Sequence, residues 1–376
     1  MNRRIFLSSP HALLVAFLGA AALTVGACSS SVSSTSTMQA LPQNLTRQGA
    51  SSPGSVSGYT IYTVDNPKGQ PNFITGIDDD RKIVGVYGNG GSTSLYNSYT
   101  AKYHTPSPSQ SPYPTFVNDD YPDAPGGTYI TSLVKSGSAA NKSIEAGYAI
   151  TPGGYNGNLN GNWGVVDNKG IWTLIGKFPK AGQHCHHLEL FEIDSNYTAV
   201  GLYWKGTGTY QGECNGSNKT QYAFEVTVGE KQYTDFPKLN NIYGATAPVA
   251  TGVYESGGIA WIVGSTDSNG ASSSGWTTTD GTTFNLLTFN NSGRSTQFYA
   301  LNSSGTVAGT EEGAGGDWHG FTVSNLFSTR QPVWSQTINL GNNSDTVVSG
   351  INDSGDICGW YKTGDGNTHG FVGFQQ

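Results

Sequence analysis

The sequence predicts an all-β domain, a β-propeller of six four-stranded blades closed by a strand from the N-terminal side. Three observations predict it. A short unit recurs six times, at intervals of about 45 to 65 residues. Each unit consists of β-type apolar runs separated by turn residues, which is the pattern of one small antiparallel sheet. The last unit lacks a strand, and the segment that precedes the first unit supplies one.

The clearest copy runs Gly350-Ile351-Asn352-Asp353-Ser354-Gly355-Asp356-Ile357-Cys358-Gly359-Trp360-Tyr361, followed by Thr368-His369-Gly370-Phe371. An apolar strand ends at Asn or Asp, whose side chain can cap a tight turn, and a glycine often supplies the positive φ. A second strand of the Ile-Val-Gly type returns, with its glycine where strands crowd together. After a variable loop, a third strand opens with a small residue and an aromatic. Those aromatics are Tyr99, Trp163, Phe224, Trp276, Phe321 and Phe371. A more polar fourth strand follows, as at 172–175, 233–236, 284–287 and 334–340. The second copy is the faintest and keeps only Ile144-Glu145-Ala146-Gly147-Tyr148.

The sixth copy stops at Gln376 without a fourth strand, whereas Tyr59-Thr60-Ile61-Tyr62-Thr63-Val64 reads as a spare one. Pairing the two would close the ring and protect a sheet edge. A β-sandwich or another β-repeat array is the alternative reading.

The last two copies, with His319-Gly320-Phe321 and His369-Gly370-Phe371, resemble bacterial extracellular repeats named for a His-Ala-Phe tripeptide. Tyr222-Ala223-Phe224 is a third match, and the resemblance spans residues 58–376. It implies a propeller-like exported domain and brings no catalytic residues with it.

The start of the chain reads as an export signal over residues 1–27, with Arg3 and Arg4 before an apolar run from Ala12 to Val25. Such a run is short for a membrane span and has signal-peptide flanks. Leu23-Thr24-Val25-Gly26-Ala27-Cys28 resembles a bacterial lipobox, which implies cleavage before Cys28 and its acylation. Two or more acyl chains make a stable anchor. Ser29 and Ser30 after the cysteine, with no Asp, favour the outer membrane, facing the periplasm or the cell surface. Residues 28–57 are rich in Ser, Thr and Gln and read as a disordered tether. The repetitive domain then occupies residues 58–376.

Charge is sparse, and losing Arg3 and Arg4 takes the net from −7 to −9. An acidic chain without a basic cluster excludes nucleic acid as an expected partner. The membrane is reached through lipid alone, and no cofactor motif is present.

The candidate sites are few. Cys185 and Cys214 lie in loops of one repeat on the same propeller face. They can meet as a disulfide or, with His184, His186 and His187, as a mixed Cys/His metal site. Cys358 reads as a buried free thiol. His319 and His369 open third strands on that same face, where a hydrogen bond to the neighbouring blade or a binding role is expected. Carboxylate groups such as Asp78-Asp79-Asp80, Asp119-Asp120 and Glu311-Glu312 show no spaced calcium ladder and read as solvated turns. The leading function is a non-catalytic binding or scaffold module whose ligand is a glycan or a protein. Exposed Tyr and Trp beside amides suit sugars. The rival readings are a polysaccharide hydrolase or lyase and a structural envelope protein.

Overall fold

The computed structural model describes residues 54–376 apart from residues 70, 89–95, 105–111, 114, 125, 136–142, 152–160, 176–186, 207–218, 231, 244–246, 269–270 and 341–344. Six antiparallel sheets follow one another in chain order. Blade 1 is made of Asn72–Ile77, Ile83–Gly88, Tyr96–Ala101 and Phe116–Asn118. Blades 2 to 5 repeat this meander over residues 128–175, 188–235, 249–287 and 296–334. Blade 6 takes Thr346–Ile351, Ile357–Lys362 and Thr368–Gln375 from the end of the chain and Tyr59–Thr63 from its start. The ring is therefore a six-bladed propeller closed as the spare strand predicts, with Tyr59 opposite Gln375 and Thr63 opposite Phe371. Among the described residues, no helix is long and apolar enough to cross a membrane.

Closure holds one surprise. Gly54–Val56 folds back on Tyr59–Thr63 as a fifth strand, inside the segment expected to be tether. Ser57 and Gly58 both have positive φ, at 51° and 85°, which is the two-residue turn whose twist matches a hairpin. A three-residue strand is too short to show an alternating pattern, so sequence gives no warning of it.

Two local devices explain the repeat. In every blade the first strand bulges at the same place, for example between Ile74 and Gly76 and between Val348 and Gly350. The extra residue points its hydroxyl at the next blade in four cases. Thr75 donates to Ile130 O at 2.7 Å, Thr131 to Leu190 O at 2.9 Å, Thr251 to Phe298 O at 2.7 Å, and Ser349 to Ile74 O at 2.6 Å. The last of these crosses from blade 6 to blade 1. The bulge also drives a first-strand carbonyl toward the second strand. A Cβ on Gly359 would lie 1.9 Å from Val347 O and 2.8 Å from the Phe371 ring, so only glycine fits there.

Facing that glycine stands the third-strand aromatic, fully buried as Tyr99, Phe224, Trp276, Phe321 and Phe371. Blade 2 departs from the rule: Gly147 faces Val165, and Trp163 lies opposite Ala149 instead. Aromatic bulk enters from the other face of that sheet, where Tyr129 and Tyr148 stack at 5.2 Å.

Candidate functional site

The first-to-second strand turns converge on one mouth of the central channel and carry a row of acidic and amide side chains. Their hydrogen bonds show what these groups do. Asp78 Oδ1 accepts the N–H groups of Asp80 and Lys82, and Asp194 Oδ1 those of Asn196 and Thr198. Asn302 and Asn352 cap their turns likewise, from Thr306 N at 2.9 Å and Asp356 N at 2.8 Å. The remaining polar atom of each side chain reaches the next blade. Asn302 Nδ2 donates to Asn352 O, Asn352 Nδ2 to Asp78 O, Ser143 Oγ to Asp78 Oδ2, and Glu255 N to Asp194 Oδ2. Asp78 is thus buried, at 3% exposure, and not a solvated turn residue. Burial raises its carboxyl above the ordinary value, while the Ser143 hydroxyl and the Lys82 amide pull it down. Asp78 and Asp194 thus join turns of adjacent blades.

The channel is narrow. Thr75, Tyr129, Phe191, Glu192, Tyr299 and Trp360 are among the residues that line a cavity of about 50 Å³, room for a few waters and not for a sugar ring. Glu192 is the one carboxylate among the described residues lining that cavity. It stands where Gly76, Gly252 and Gly350 occupy other blades. Burial pushes its carboxyl well above the usual range, opposed by the N–H groups of Val253, at 2.8 Å, and Leu301. Most glycoside hydrolases flank the bond with two carboxyl groups; among the described residues this cavity offers one, whose bonds go to backbone.

A larger groove opens on the same mouth side, between blades 5 and 6, with a volume of about 390 Å³. That is within the range of small-ligand sites. Ser304, Thr306, Thr322, Ser324, Ser335 and Gln375 are among its lining residues, with the Tyr59 phenol at one wall. Burial raises the Tyr59 pKa, and its hydroxyl is bonded to Thr322. Among the described residues lining it, Asp353 is the one carboxylate, and none is Lys, Arg or His. The surface offered is mainly hydroxyl and amide, with the one carboxylate of Asp353.

The residues singled out from sequence fall elsewhere. Cys28, His184, Cys185, His186 and Cys214 lie outside the described residues. His187 lies flat on Trp204, with ring centroids 3.5 Å apart. Its Nε2 is 2.9 Å from Glu189 Oε1, but at an angle outside that of a hydrogen bond. Cys358 is a buried free thiol, as expected, and burial raises its pKa far above the ordinary thiol value. His369 Nδ1 meets Asp65 Oδ2 at 2.7 Å, which ties blade 6 to the segment entering blade 1. His319 does not reach its neighbour: its Nε2 meets Asp317 Oδ2 of its own loop at 2.8 Å. Neither histidine lines the groove. The groove itself escaped sequence reading, because its hydroxyls come from turns and strand ends of two blades that look unremarkable one at a time.

A six-bladed propeller with a roomy polar groove is the class of molecule these observations define. No protein-family model matches the sequence. No curated protein matches it either. Solved structures do resemble it in outline. A subtype N11 neuraminidase-like protein of A/flat-faced bat/Peru (H18N11) has a TM-score of 0.45 at 15% identity, over 88% of this chain and 97% of that one. Trypanosoma rangeli sialidase has a TM-score of 0.46 at 12% identity, over 87% of this chain and 58% of that one. Aleuria aurantia lectin, in complex with a fucosyl-GlcNAc disaccharide, has a TM-score of 0.43 at 10% identity, over 79% and 89%. Likeness at this level carries no argument about chemistry.

Proposed function

We propose that the protein is an exported propeller, held at the outer membrane through a lipid on Cys28, that binds an extracellular glycan in the groove between blades 5 and 6 without cleaving it. The groove carries this reading. It is large enough for a sugar residue, and it presents hydroxyl and amide groups suited to hydroxylated ligands. Among the described residues the groove is lined by a single carboxylate, Asp353, while Asp78, Asp194 and Glu192 bond across blades. The lipobox and the resemblance to exported His-Ala-Phe repeats support the location.

The test is a glycan array followed by affinity electrophoresis in neutral polysaccharides. Ser324→Trp, placed at the groove wall, is expected to weaken binding at least tenfold with the melting temperature unchanged. Release of reducing ends from a bound polysaccharide would refute the non-catalytic reading. No retention by any polysaccharide would refute the glycan.

A further inference from the structure

Blade 2 differs from its five siblings at one cross-strand pair. Two residues before the second-strand glycine, the other blades place an uncharged residue opposite another, as Ile83 opposite Ala101 or Val307 opposite Val323. Blade 2 places Glu145 opposite Asp167. Both are buried, at 3% and 6% exposure, and like charges directly opposite each other destabilise a sheet. A third carboxylate arrives from the neighbouring blade. Asp119, just beyond the last strand of blade 1, brings its ligand oxygen within 4.8 Å of those of Glu145 and Asp167.

The hydrogen bonding of this cluster is incomplete. Glu145 Oε1 takes the ammonium of Lys82, and Asp167 Oδ2 accepts Gly170 N at 3.0 Å. Among the described residues, Glu145 Oε2 and Asp167 Oδ1 are buried with no N–H or hydroxyl donor, and the Asp119 carboxyl faces Glu145. A buried carboxylate oxygen left in that state is costly unless a cation or proton satisfies it. Three carboxylates and one ammonium sum to −3 + 1 = −2, the charge that one divalent ion balances.

We propose that Asp119, Glu145 and Asp167 form a calcium site that clamps blade 1 to blade 2. An all-oxygen donor set with a half-exposed member suits calcium, whose remaining ligands would be waters on the Asp119 side. Lys82 leaves Glu145 one oxygen for the ion.

The experiment is calorimetric titration of the purified protein with calcium chloride after chelator treatment, paired with melting curves in calcium, magnesium and chelator. The expected result is one saturable calcium site with a Kd of about 10⁻⁴–10⁻³ M, the range of extracellular modules, and a higher melting temperature in calcium. Asp119→Asn, at the half-exposed ligand, should weaken it at least tenfold without loss of folding. Asp365→Asn, in an exposed turn of blade 6, should leave it intact. Absence of saturable binding overturns the proposal, as does binding that Asp119→Asn and Asp167→Asn both leave unchanged. Stabilisation on acidification with no response to calcium also overturns it and assigns the free oxygens to a shared proton.

Discussion

Replacing Asn352 tests whether the turns, and not the blade cores alone, hold the ring shut. Its side chain is buried, at 4% exposure. Oδ1 caps the turn from Asp356 N at 2.8 Å, and Nδ2 donates across the seam to Asp78 O at 3.0 Å. Asn352→Ala removes both bonds, at about 1 kcal/mol each net. It also strands the Asp356 N–H in a buried place, for about another 1–2 kcal/mol. Asp78 O keeps the Arg81 amide at 2.9 Å and adds little. The expected loss is about 3–4 kcal/mol, set against a typical total stability of about 5–15 kcal/mol.

Asn352→Asp separates the two roles. The cap survives, but the donor becomes an acceptor facing Asp78 O and Asp356 Oδ2, which lies 3.4 Å from Nδ2. The same residue type works in blades 1 and 3 because Asp78 and Asp194 meet a hydroxyl and an amide there. Equilibrium urea unfolding at pH 7 and scanning calorimetry are the assays. At about 1.5 °C per kcal/mol for a domain of this length, Asn352→Ala should melt about 5 °C early. Asn352→Asp should fall between it and the parent and recover as pH drops. A loss below about 0.5 kcal/mol for Ala would refute the reasoning, as would an Asp variant equal to the parent.

Gly359→Ala should abolish soluble expression or cost several kcal/mol, because its Cβ would enter the carbonyl of Val347; Gly364→Ala, with nothing within 4 Å, should be neutral in the same expression and melting assays. The His369 pKa is raised by its hydrogen bond to Asp65, against a smaller lowering by burial. A raised native value means that the stabilisation is full below about pH 6.5 and is lost as pH climbs through the native value. Melting temperature should therefore decline over that window. His369→Gln should flatten the decline, and an unchanged slope would rule the pair out as its cause.

Much of the architecture was legible because the repeat is written in residues with steric meaning. A glycine that must admit a bulged carbonyl, an aromatic that must fill the space opposite, and an Asn or Asp that must cap a turn are each irreplaceable locally. The spare strand at Tyr59 and the missing strand after Phe374 announced closure for the same reason. Blade 2 was faint because Val165, not an aromatic, faces its glycine. The hairpin at Gly54 was hidden by its brevity. Features built from two blades left no local mark. Asp119 lies 26 residues from Glu145 in the chain, and nothing between them signals that they meet. One clue was available: Glu145 breaks an otherwise apolar repeat position, and aligning the copies residue by residue would have flagged it. Asp78 was misread as solvated because its second partner, the Ser143 hydroxyl, belongs to the next copy.

The hairpin of Gly54–Val56 on Tyr59–Thr63 gives the domain a mechanical character. Any pull transmitted through the residues before Gly54 reaches a three-pair ladder first. That ladder opens one rung at a time, from its outer end. Only when it is spent does the load reach the five paired residues between Tyr59–Thr63 and the last strand, on which the ring depends. The short outer strand therefore acts as a sacrificial link. It peels while the closed circle behind it stays whole.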